Sequence, residues 1–236
     1  MNCTALNLKN LTTLWRLASE AYQGYGQSEP VHRAHIPNSA WPNKVWVDLE
    51  ASEDHMDQVL AELESHPGWV YSRVKPQNST IPRQLQLASE QTGMSLGLSS
   101  PFPHSSRVTL EAVTTEDQAA LWSQAFEDSF GYQIPDWVVF QIRNWAHSYL
   151  VMTEGELAGT VMHFKTGEVS GIHCLGIIPA KRRLGIAREA MHLILNKALE
   201  SGSKWAMLQA SEKAKELYLQ MGFLYDFTWQ NLRRID

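Results

Sequence analysis

The segment at residues 181–187 has the residue types of an anion-binding turn. It reads Lys-Arg-Arg-Leu-Gly-Ile-Ala, and a helical pattern follows it. The first main-chain N–H groups of a helix have no acceptor within the helix, and the helix dipole favours negative charge there. Gly185 removes a side chain where a phosphate group must approach the backbone. The pattern therefore predicts an anion site at this helix start.

The cations around this turn support the same prediction. Lys181, Arg182, Arg183 and Arg188 lie beside a predicted helix N-terminus, where positive charge opposes the helix dipole. A solvated helix start is the alternative, but it would leave this electrostatic cost uncompensated. An anionic ligand compensates it, because the arginines can donate charge-assisted hydrogen bonds to such a ligand.

Two histidines and a cysteine on the preceding strands have side chains that can move protons or acyl groups. The ordinary pKa of histidine, about 6.5, suits a proton acceptor, so His173 is a candidate base and His163 its rival; a structural histidine is the commoner case. By alternation along the strand, His173 shares a face with Leu175 and Ile177. Cys174 faces the other way. A nucleophilic thiol needs a nearby base and a lowered pKa, so core packing is the favoured interpretation of Cys174.

The elements that position these residues follow from periodicity and capping. A strand at residues 107–113 precedes Thr115, which is predicted to cap a helix that carries Trp122 and Phe126. The helix after the anion turn has one apolar stripe and ends at Gly202, a residue type typical of helix C-termini. The other predicted elements are a helix at 135–145, strands at 148–153, 157–164, 169–177 and 205–209, and a helix at 211–221.

The N-terminal half predicts two strands, each followed by a helix. Residues 44–49 and 69–74 are rich in β-branched and aromatic residues and are bounded by Pro or Gly, as strands are. Helical spacing predicts a helix over 53–64, with Ser52 as its cap, and a second helix over 83–92. Alternating strands and helices indicate an α/β unit.

Length and composition predict two domains with packed cores. The chain has 236 residues, of which 44% are hydrophobic and 19% charged, which is ordinary for a globular protein. A stretch rich in Pro and Ser at residues 99–106 is the best candidate for a linker. We therefore predict an N-terminal α/β domain of residues 1–105 and a C-terminal domain of residues 106–236.

Charge and cysteine usage narrow the classes of partner. The net charge of -5 divides into -3 for residues 1–106 and -2 for residues 107–236, so no concentrated basic surface predicts a nucleic-acid partner, and a small molecule fits better. Cys3 and Cys174 belong to no CxxC pair or repeated Cys/His spacing, which predicts reduced thiols and no metal site. Because the chain has neither a signal-like segment nor an apolar run of about 18 residues, we predict no membrane association and a cytoplasmic location.

The C-terminal half, from Arg107 onward, resembles the GNAT superfamily of N-acetyltransferases. The cofactor signature of that family is Gln/Arg-x-x-Gly-x-Gly/Ala, and Arg182, Gly185 and Ala187 fill its three fixed positions. The order of predicted elements is also that of the family: strand, two helices, three antiparallel strands, cofactor helix, strand, helix, strand. The resemblance implies an α/β (α+β) fold in which a mixed, mostly antiparallel central sheet is flanked by helices.

A second signature of the family lies near the C-terminus. The family pattern is Asn-x-x-Ala-x-x-Leu-Tyr followed by Gly-Phe. The matching residues here are Ala214, Leu217, Tyr218, Gly222 and Phe223. Ser211 stands where the family has Asn; it can still cap the helix, but it offers fewer hydrogen bonds to the cofactor than an amide does.

The resemblance implies acetyl-CoA as the acyl donor and a role for each matching residue. Tyr218 corresponds to the family's general acid, and His173 lies where related enzymes often carry a glutamate base. A main-chain N–H in the segment from Leu175 to Ile177 corresponds to the group that stabilises the oxyanion. The residues implied to bind the cofactor are Leu175, Ile177, Arg182, Arg183, Leu184, Gly185, Ile186, Ala187, Arg188, Ser211 and Ala214.

The implied function is transfer of an acetyl group from acetyl-CoA to a primary amine of a small molecule or peptide, by direct attack. The resemblance places the acceptor site near residues 126–145, whose aromatic side chains are expected mostly in the core and whose Glu127 and Asp128 could attract a cation. A catalytically silent acyl-CoA-binding module is the alternative, because His173 and Ser211 depart from the family pattern. The N-terminal half is interpreted as a degenerate or partial relative that helps to shape the acceptor site, and the sequence leaves homo-oligomers open.

Overall fold

The computed structural model describes residues 2–49, 55–77, 80–103 and 105–235. The chain forms two compact units, one of Met1–Met94 with Gln209–Asp236 and the other of Ser95–Leu208. The end of the C-terminal half thus belongs to the first unit, and residues 95–106 belong to the second. The predicted division between residues 105 and 106 stays a prediction about which segments fold on their own.

The first unit begins with a helix that the sequence reading did not predict. Asn2 is its N-cap and accepts a hydrogen bond from the Ala5 N–H at 3.1 Å. Its apolar side, which includes Leu11, Leu14 and Trp15, is buried. The elements of the unit are α1 (Cys3–Glu20), β1 (Tyr25–Ser28), β2 (Val31–Ala34), β3 (Lys44–Val47), α2 (Met56–Ser65), β4 (Val70–Val74), most of β5 (Leu85–Gly97), α6 (Glu212–Gln220) and β11 (Leu224–Arg234).

The strands of the first unit follow the order β1-β2-β3-β4-β11-β5. β1, β2 and β3 are successively antiparallel. The chain then passes through α2 to β4, which pairs with β3 in parallel, and β11 pairs with β4 antiparallel. Apolar side chains from these elements form one buried cluster: Val31, Val45, Val59, Leu63, Trp69, Tyr71, Leu85 and Leu232.

The helix predicted at residues 83–92 is wrong, because this segment is part of β5, which lies beside β11. Side chains join the two strands: Asn231 donates to Ser89 Oγ at 3.1 Å, and Gln230 donates to Glu90 Oε1 at 2.8 Å. Pairing with a strand far along the chain outweighs the local helix preference of Leu, Gln and Ala. The other predicted helix is confirmed as α2, while its proposed cap, Ser52, lies outside the described residues.

The second unit contains β6 (Val108–Ala112), α3 (Glu116–Phe130), α4 (Asp136–Ile142), β7 (Ala146–Thr153), β8 (Glu156–Thr166), β9 (Val169–Ile177), α5 (Ile186–Glu200) and most of β10 (Trp205–Ala210). β6 to β9 are successively antiparallel, and β10, reached through α5, pairs with β9 in parallel. Thr115 caps α3 as predicted, since its hydroxyl accepts from the Gln118 N–H at 3.2 Å. The apolar stripe of α5 is buried: Ile186, Ala190, Met191, Ile194, Leu195 and Ala198.

The predicted fold class is confirmed. In both units the strands form mixed, mostly antiparallel sheet against which helices pack. The strands and helices predicted for the C-terminal half all occur, with shifts only at their ends. No helix in the described part of the chain is long and apolar enough to cross a membrane.

Candidate active site

The predicted anion turn follows β9, passes through a short 3-10 turn at Pro179–Lys181 and ends at the start of α5. Gly185 is the N-cap of α5 and has φ +78°, a left-handed conformation that glycine adopts without strain. Arg183 has φ +64°, which costs a non-glycine residue about 1 kcal/mol. Backbone strain of this kind is common where a loop is held ready for a ligand.

Five consecutive main-chain N–H groups, from Arg183 to Ala187, have no hydrogen-bond acceptor among the residues that the structure describes. The next amide, that of Arg188, bonds to the Gly185 carbonyl at 3.1 Å and begins the helix. No side chain caps α5, and the side chain of Leu184 is exposed. Unpaired N–H groups at an accessible helix start are the main-chain arrangement that binds phosphate.

Two arginine side chains hold the turn in shape. Arg182 donates from Nε to the Ile177 carbonyl at 2.9 Å and from Nη2 to the Ser129 carbonyl at 3.1 Å, which ties the turn to β9 and to the end of α3. Arg107 donates from Nη2 to the Leu184 carbonyl at 2.9 Å. Arg107 was missed in the sequence because no local pattern links it to a turn so far along the chain.

The charges of the turn divide between ion-paired side chains and the exposed Arg183. Lys181 pairs with Glu156, and Glu189, in the first turn of α5, pairs with Arg107. Arg183 is exposed and forms no ion pair among the described residues. With Arg188 half-buried beside it, the guanidinium of Arg183 leaves positive charge next to the unpaired N–H groups.

β9 contains a bulge just before the turn. Its register with β8 shifts between Thr160 and Met162, so that Cys174 and Leu175 together lie opposite one residue of β8. Cys174 has φ +55°, and its carbonyl accepts from Thr160 Oγ1 at 2.8 Å. The bulge therefore changes the direction of the side chains that follow it.

The prediction that His173 shares a face with Leu175 and Ile177 is wrong because of this bulge. Thr160 and Met162 are two residues apart and share a face of β8, and their partners on β9 are Gly176 and His173. The face of His173 is therefore that of Gly176, and the extra residue moves Leu175 and Ile177 to the other face.

The end of β9 carries two residues that were predicted near the cofactor. The pairing of β9 with β10 includes Val169–Gly171 opposite Trp205–Met207. Leu175 and Ile177 lie further along β9, between this paired stretch and the turn, and both are half-buried.

Gly176 allows α3 to pack closely on this stretch. A Cβ at Gly176 would lie 2.4 Å from the Phe130 ring and 2.8 Å from Ser129 Cβ, so a larger residue would push the end of α3 away. The Ser129 carbonyl is also the one that Arg182 binds. A glycine inside a predicted strand is a sequence signal of such close approach, and it was missed.

His173, the predicted base, is buried on β9. Burial, reinforced by the neighbouring His163, lowers the pKa of His173 to about 3. Its ring is therefore neutral at physiological pH and can accept a proton, but it is a weak base, since catalytic bases work best with a pKa near the working pH.

His163 and Cys174 have structural surroundings. His163 Nε2 lies 2.6 Å from Ser170 Oγ, which in turn lies 2.8 Å from Ser203 Oγ, and burial lowers the pKa of His163 to about 4. Burial raises the pKa of the Cys174 thiol to about 12, so it carries almost no thiolate at neutral pH. Both observations support the interpretation of these residues as packing residues. The described residues contain no group of three or more His, Cys, Asp and Glu placed to hold a metal ion.

The second signature lies in the first unit, on and after α6. Tyr218 is buried and its ring packs edge-on against Phe223, with 5.7 Å between ring centroids. Burial raises the pKa of Tyr218, so its phenol keeps its proton at neutral pH, as a proton donor must. Ser211 is the N-cap residue of α6, but the predicted side-chain cap is wrong, because its hydroxyl makes no capping hydrogen bond. Ser211 is exposed and Ala214 half-buried in the first turns of this helix.

The region predicted to hold the acceptor is more exposed than expected. Phe126 is buried and stacks on Phe130, with 4.5 Å between ring centroids. Phe130, Tyr132 and Trp137 are exposed, so the expectation that these aromatic residues lie mostly in the core is wrong. Within the second unit, the end of α3 thus presents an aromatic surface next to Gly176 of β9.

Comparison with known families identifies the domain that contains this site. The sequence model of the Acetyltransferase (GNAT) family matches residues 112–223, which include the turn, β9 and the second signature. Residues 112–223 are a GNAT acetyltransferase domain. The chemistry of this GNAT domain is acyl transfer.

Solved structures share the fold of the GNAT domain and of the rest of the chain. A GCN5-related N-acetyltransferase from Kribbella flavida is 15% identical, with 94% of this chain and 95% of that chain covered and a TM-score of 0.66. A putative GNAT acetyltransferase from Novosphingobium aromaticivorans is 14% identical, with coverage of 94% and 96% and a TM-score of 0.64. At such identities the likeness shows the fold alone. A search among curated protein sequences finds no match.

Proposed function

We propose that the GNAT domain transfers an acetyl group from acetyl-CoA to a primary amine by direct attack in a ternary complex. The row of unpaired N–H groups from Arg183 to Ala187 carries this proposal. These groups suit the pyrophosphate of an acyl-CoA, because they follow one another at an exposed helix N-terminus. Arg183 and Arg188 add charge there.

The end of β9, from Leu175 to Ile177, supplies the next part of the proposed site. Main-chain groups of this segment can pair with the amide arm of an acyl-CoA as an added strand would. We assign an N–H of this segment to stabilise the negative charge that develops on the thioester oxygen. Acetyl-CoA, when bound, supplies the activated acetyl group and a thiolate leaving group.

Two protons must move during the transfer. A C–N bond forms as the C–S bond breaks, so the amine nitrogen loses one proton and the sulfur gains one. We assign the second proton to the phenol of Tyr218, which burial keeps protonated. We assign the first to His173, directly or through water, because its neutral ring can accept a proton.

The proposal also covers the class of acceptor and the cellular compartment of the protein. A primary amine of a small molecule or peptide suits the carboxylates of Glu127 and Asp128 near the exposed aromatic surface of α3. The free thiols of Cys3 and Cys174 suit a reducing compartment such as the cytoplasm.

We also propose that the N-terminal half is a reduced relative of the GNAT domain. The series β1-β2-β3-α2-β4 has the same order and pairing as β7-β8-β9-α5-β10: three antiparallel strands, a helix and a parallel strand. The described part of the link from β4 to β5 includes no helix in the place of α6.

A thiol-release assay tests the function. Acetyl-CoA and the protein are incubated with separate amines: a polyamine, free amino acids, an aminoglycoside, and peptides with a free N-terminus or a lysine. Calorimetry measures CoA affinity in parallel. Thiol release with at least one amine, and a product heavier by one acetyl group, supports the proposal. CoA binding without turnover across the panel would favour the silent binding module, and no CoA binding would overturn the assignment of the turn.

A further inference from the structure

The first unit holds a cavity of about 1100 Å³ that the proposed acetyl transfer does not use. The cavity lies where the parallel strands β3 and β4 end, beside the start of α2 and one side of α1. The carboxyl ends of parallel strands are a common place for ligands, and the volume is sufficient for a drug-sized organic molecule.

Two cations line this cavity without a carboxylate partner among the described residues. Lys9, on α1, is exposed and takes part in no ion pair there. Arg73, on β4, donates from Nε to Gln230 Oε1 at 3.2 Å, which leaves its terminal N–H groups for another acceptor. Asp48, a carboxylate of the same lining, already contacts His32 Nε2 at 3.1 Å. The described lining therefore favours an anion.

His55 adds a polar atom that has no partner. It precedes α2 and lines the cavity, and its Nδ1 is buried without a hydrogen-bond partner in the described parts of the chain. An unpaired buried polar atom destabilises the folded protein, because it has lost its hydrogen bonds to water and gained no other. A ligand that bonds to His55 removes this cost, which favours a polar group on the ligand near the start of α2.

The lining also includes three buried aromatic side chains. Trp46, Tyr71 and Trp229 line the cavity and are otherwise buried. Trp46 and Trp229 both pack against Trp15, with ring centroids 5.7 and 6.3 Å apart. Because these rings are fixed from behind, they can contact a flat apolar body with little further loss of side-chain entropy.

We propose that this cavity binds a small organic anion with a flat apolar body, such as an aromatic carboxylate. Lys9 and Arg73 hold the anionic group, and Trp46 and Trp229 contact the body. This site is independent of the acetyl transfer proposed above. Residues 50–54, which are acidic in sequence, lie outside the described residues, so the test includes a cationic probe.

An acyl-CoA is not the expected ligand of this cavity. Between β3 and α2 the sequence reads Asp-Leu-Glu-Ala-Ser-Glu-Asp-His, without the glycine and arginines of the turn at 181–187. A pyrophosphate site of the kind proposed at residues 181–187 needs the glycine and the arginines that this connection lacks. CoA should therefore bind once per chain, and changes in this cavity should leave its affinity unchanged.

Three probes with one aromatic body test the proposal on the full chain: 2-naphthylacetate, 2-(2-naphthyl)ethanol and 2-(2-naphthyl)ethylamine. Affinities are measured by calorimetry and by ligand-observed NMR. We expect the acid to bind at least about tenfold more tightly than the alcohol and the amine, because only the acid pairs with the two cations. Lys9→Gln and Arg73→Gln should each lower the affinity for the acid about fivefold or more.

Matched controls separate charge from folding. Arg233→Gln and Lys213→Gln remove exposed cations outside the cavity and should leave the affinity for the acid unchanged. Lys9 is exposed on a helix, so its variant should fold even if the Arg73 variant does not, and unchanged CoA affinity reports an intact GNAT domain. The proposal is overturned by equal affinity for the three probes, by tighter binding of the amine, by an acid affinity that neither Lys9→Gln nor Arg73→Gln lowers, or by no binding of the acid at millimolar concentration.

Discussion

The crossover from β3 to β4 and the crossover from β9 to β10 have the same topology but different chemistry. Each joins two parallel strands through a helix, after three antiparallel strands. Before α5 the chain has a left-handed glycine, unpaired N–H groups and arginines. Before α2 it has acidic residues and no glycine, and the nearby cavity takes its positive charge from Lys9 and Arg73 on other elements. The same backbone arrangement therefore places a helix start at a strand end in both units, and the ligands proposed for the two places differ because the side chains around them differ.

Separating the two halves of the chain should have the largest effect. Residues 107–236 expressed alone should fail to fold, because β11 would lose its partner β4 and expose an unpaired edge next to apolar Leu232. Circular dichroism and size-exclusion chromatography measure this, with the full chain as control. A monomeric segment with native-like helix content and full activity would contradict it and would support independent folding of residues 106–236.

A substitution at Gly185 should remove the feature that distinguishes the second crossover from the first. Gly185→Val forces a β-branched residue into φ +78° and narrows the approach to the N–H groups, so CoA affinity should fall about 100-fold or more. Gly202→Val is the matched control, because Gly202 also has φ +78° but lies at the other end of α5 with open space around it. Both variants should lose similar stability, measured by urea unfolding. Equal CoA affinity in the two variants would contradict the role of the turn.

The second crossover is followed by α6, a helix that carries a candidate acid, whereas the described part of the link after the first crossover contains no helix. Tyr218→Phe removes one hydroxyl, so kcat should fall about 10- to 100-fold while CoA affinity stays the same. Tyr149→Phe, on β7 and also with a raised pKa, is the control and should keep kcat. An unchanged kcat in the Tyr218 variant would remove this residue from the mechanism.

Acid should destabilise the second unit before the first. His163 and His173 have folded pKa values of about 4 and 3, below the value of about 6.5 in an unfolded chain. As the pH falls below 6.5, the unfolded state therefore binds more protons than the folded state does. The free energy of unfolding decreases as a result. Between pH 8 and pH 5 the loss should be on the order of 2 kcal/mol for each histidine.

Urea unfolding at the two pH values measures this loss. His163→Gln and His173→Gln should each lose less stability on acidification than the unaltered protein, while His192→Gln should not differ from it. Hydrogen exchange should show amides of β8 and β9 opening first at pH 5. Identical pH dependence in all four proteins would show that the buried histidines do not govern acid stability.

Substitution of Cys174 should have the smallest effect on turnover. Direct attack requires no acyl-enzyme, and the raised thiol pKa makes Cys174 a poor nucleophile. Cys174→Ala keeps the left-handed backbone of the bulge equally strained, so turnover should stay within about twofold. A loss of turnover with intact CoA binding would contradict direct attack and point to an acyl-cysteine.

Short-range patterns in the sequence predicted the elements of the C-terminal half and the position of the turn. Gly185, the apolar stripe of α5 and the Thr115 cap each depend on contacts within a few residues, so their patterns can be read locally. The apolar residues Leu8, Leu11 and Trp15 also have helical spacing and lie on α1, although no helix was predicted there. The wrong prediction of a helix at residues 83–92 had another cause. This segment belongs to β5, and its partner β11 comes more than a hundred residues later.

The sequence by itself predicted an anion-binding turn at residues 181–187 and a helix after it, because a glycine at a helix start and the cations around it form one local motif. Only the tertiary structure decided how that turn is held, through Arg107 and the close approach of α3 at Gly176. It also decided which face His173 takes and which residues surround the cavity of the first unit. A bulge, a long-range hydrogen bond and a cavity arise from segments distant in sequence, whose contacts are made only when the chain has folded.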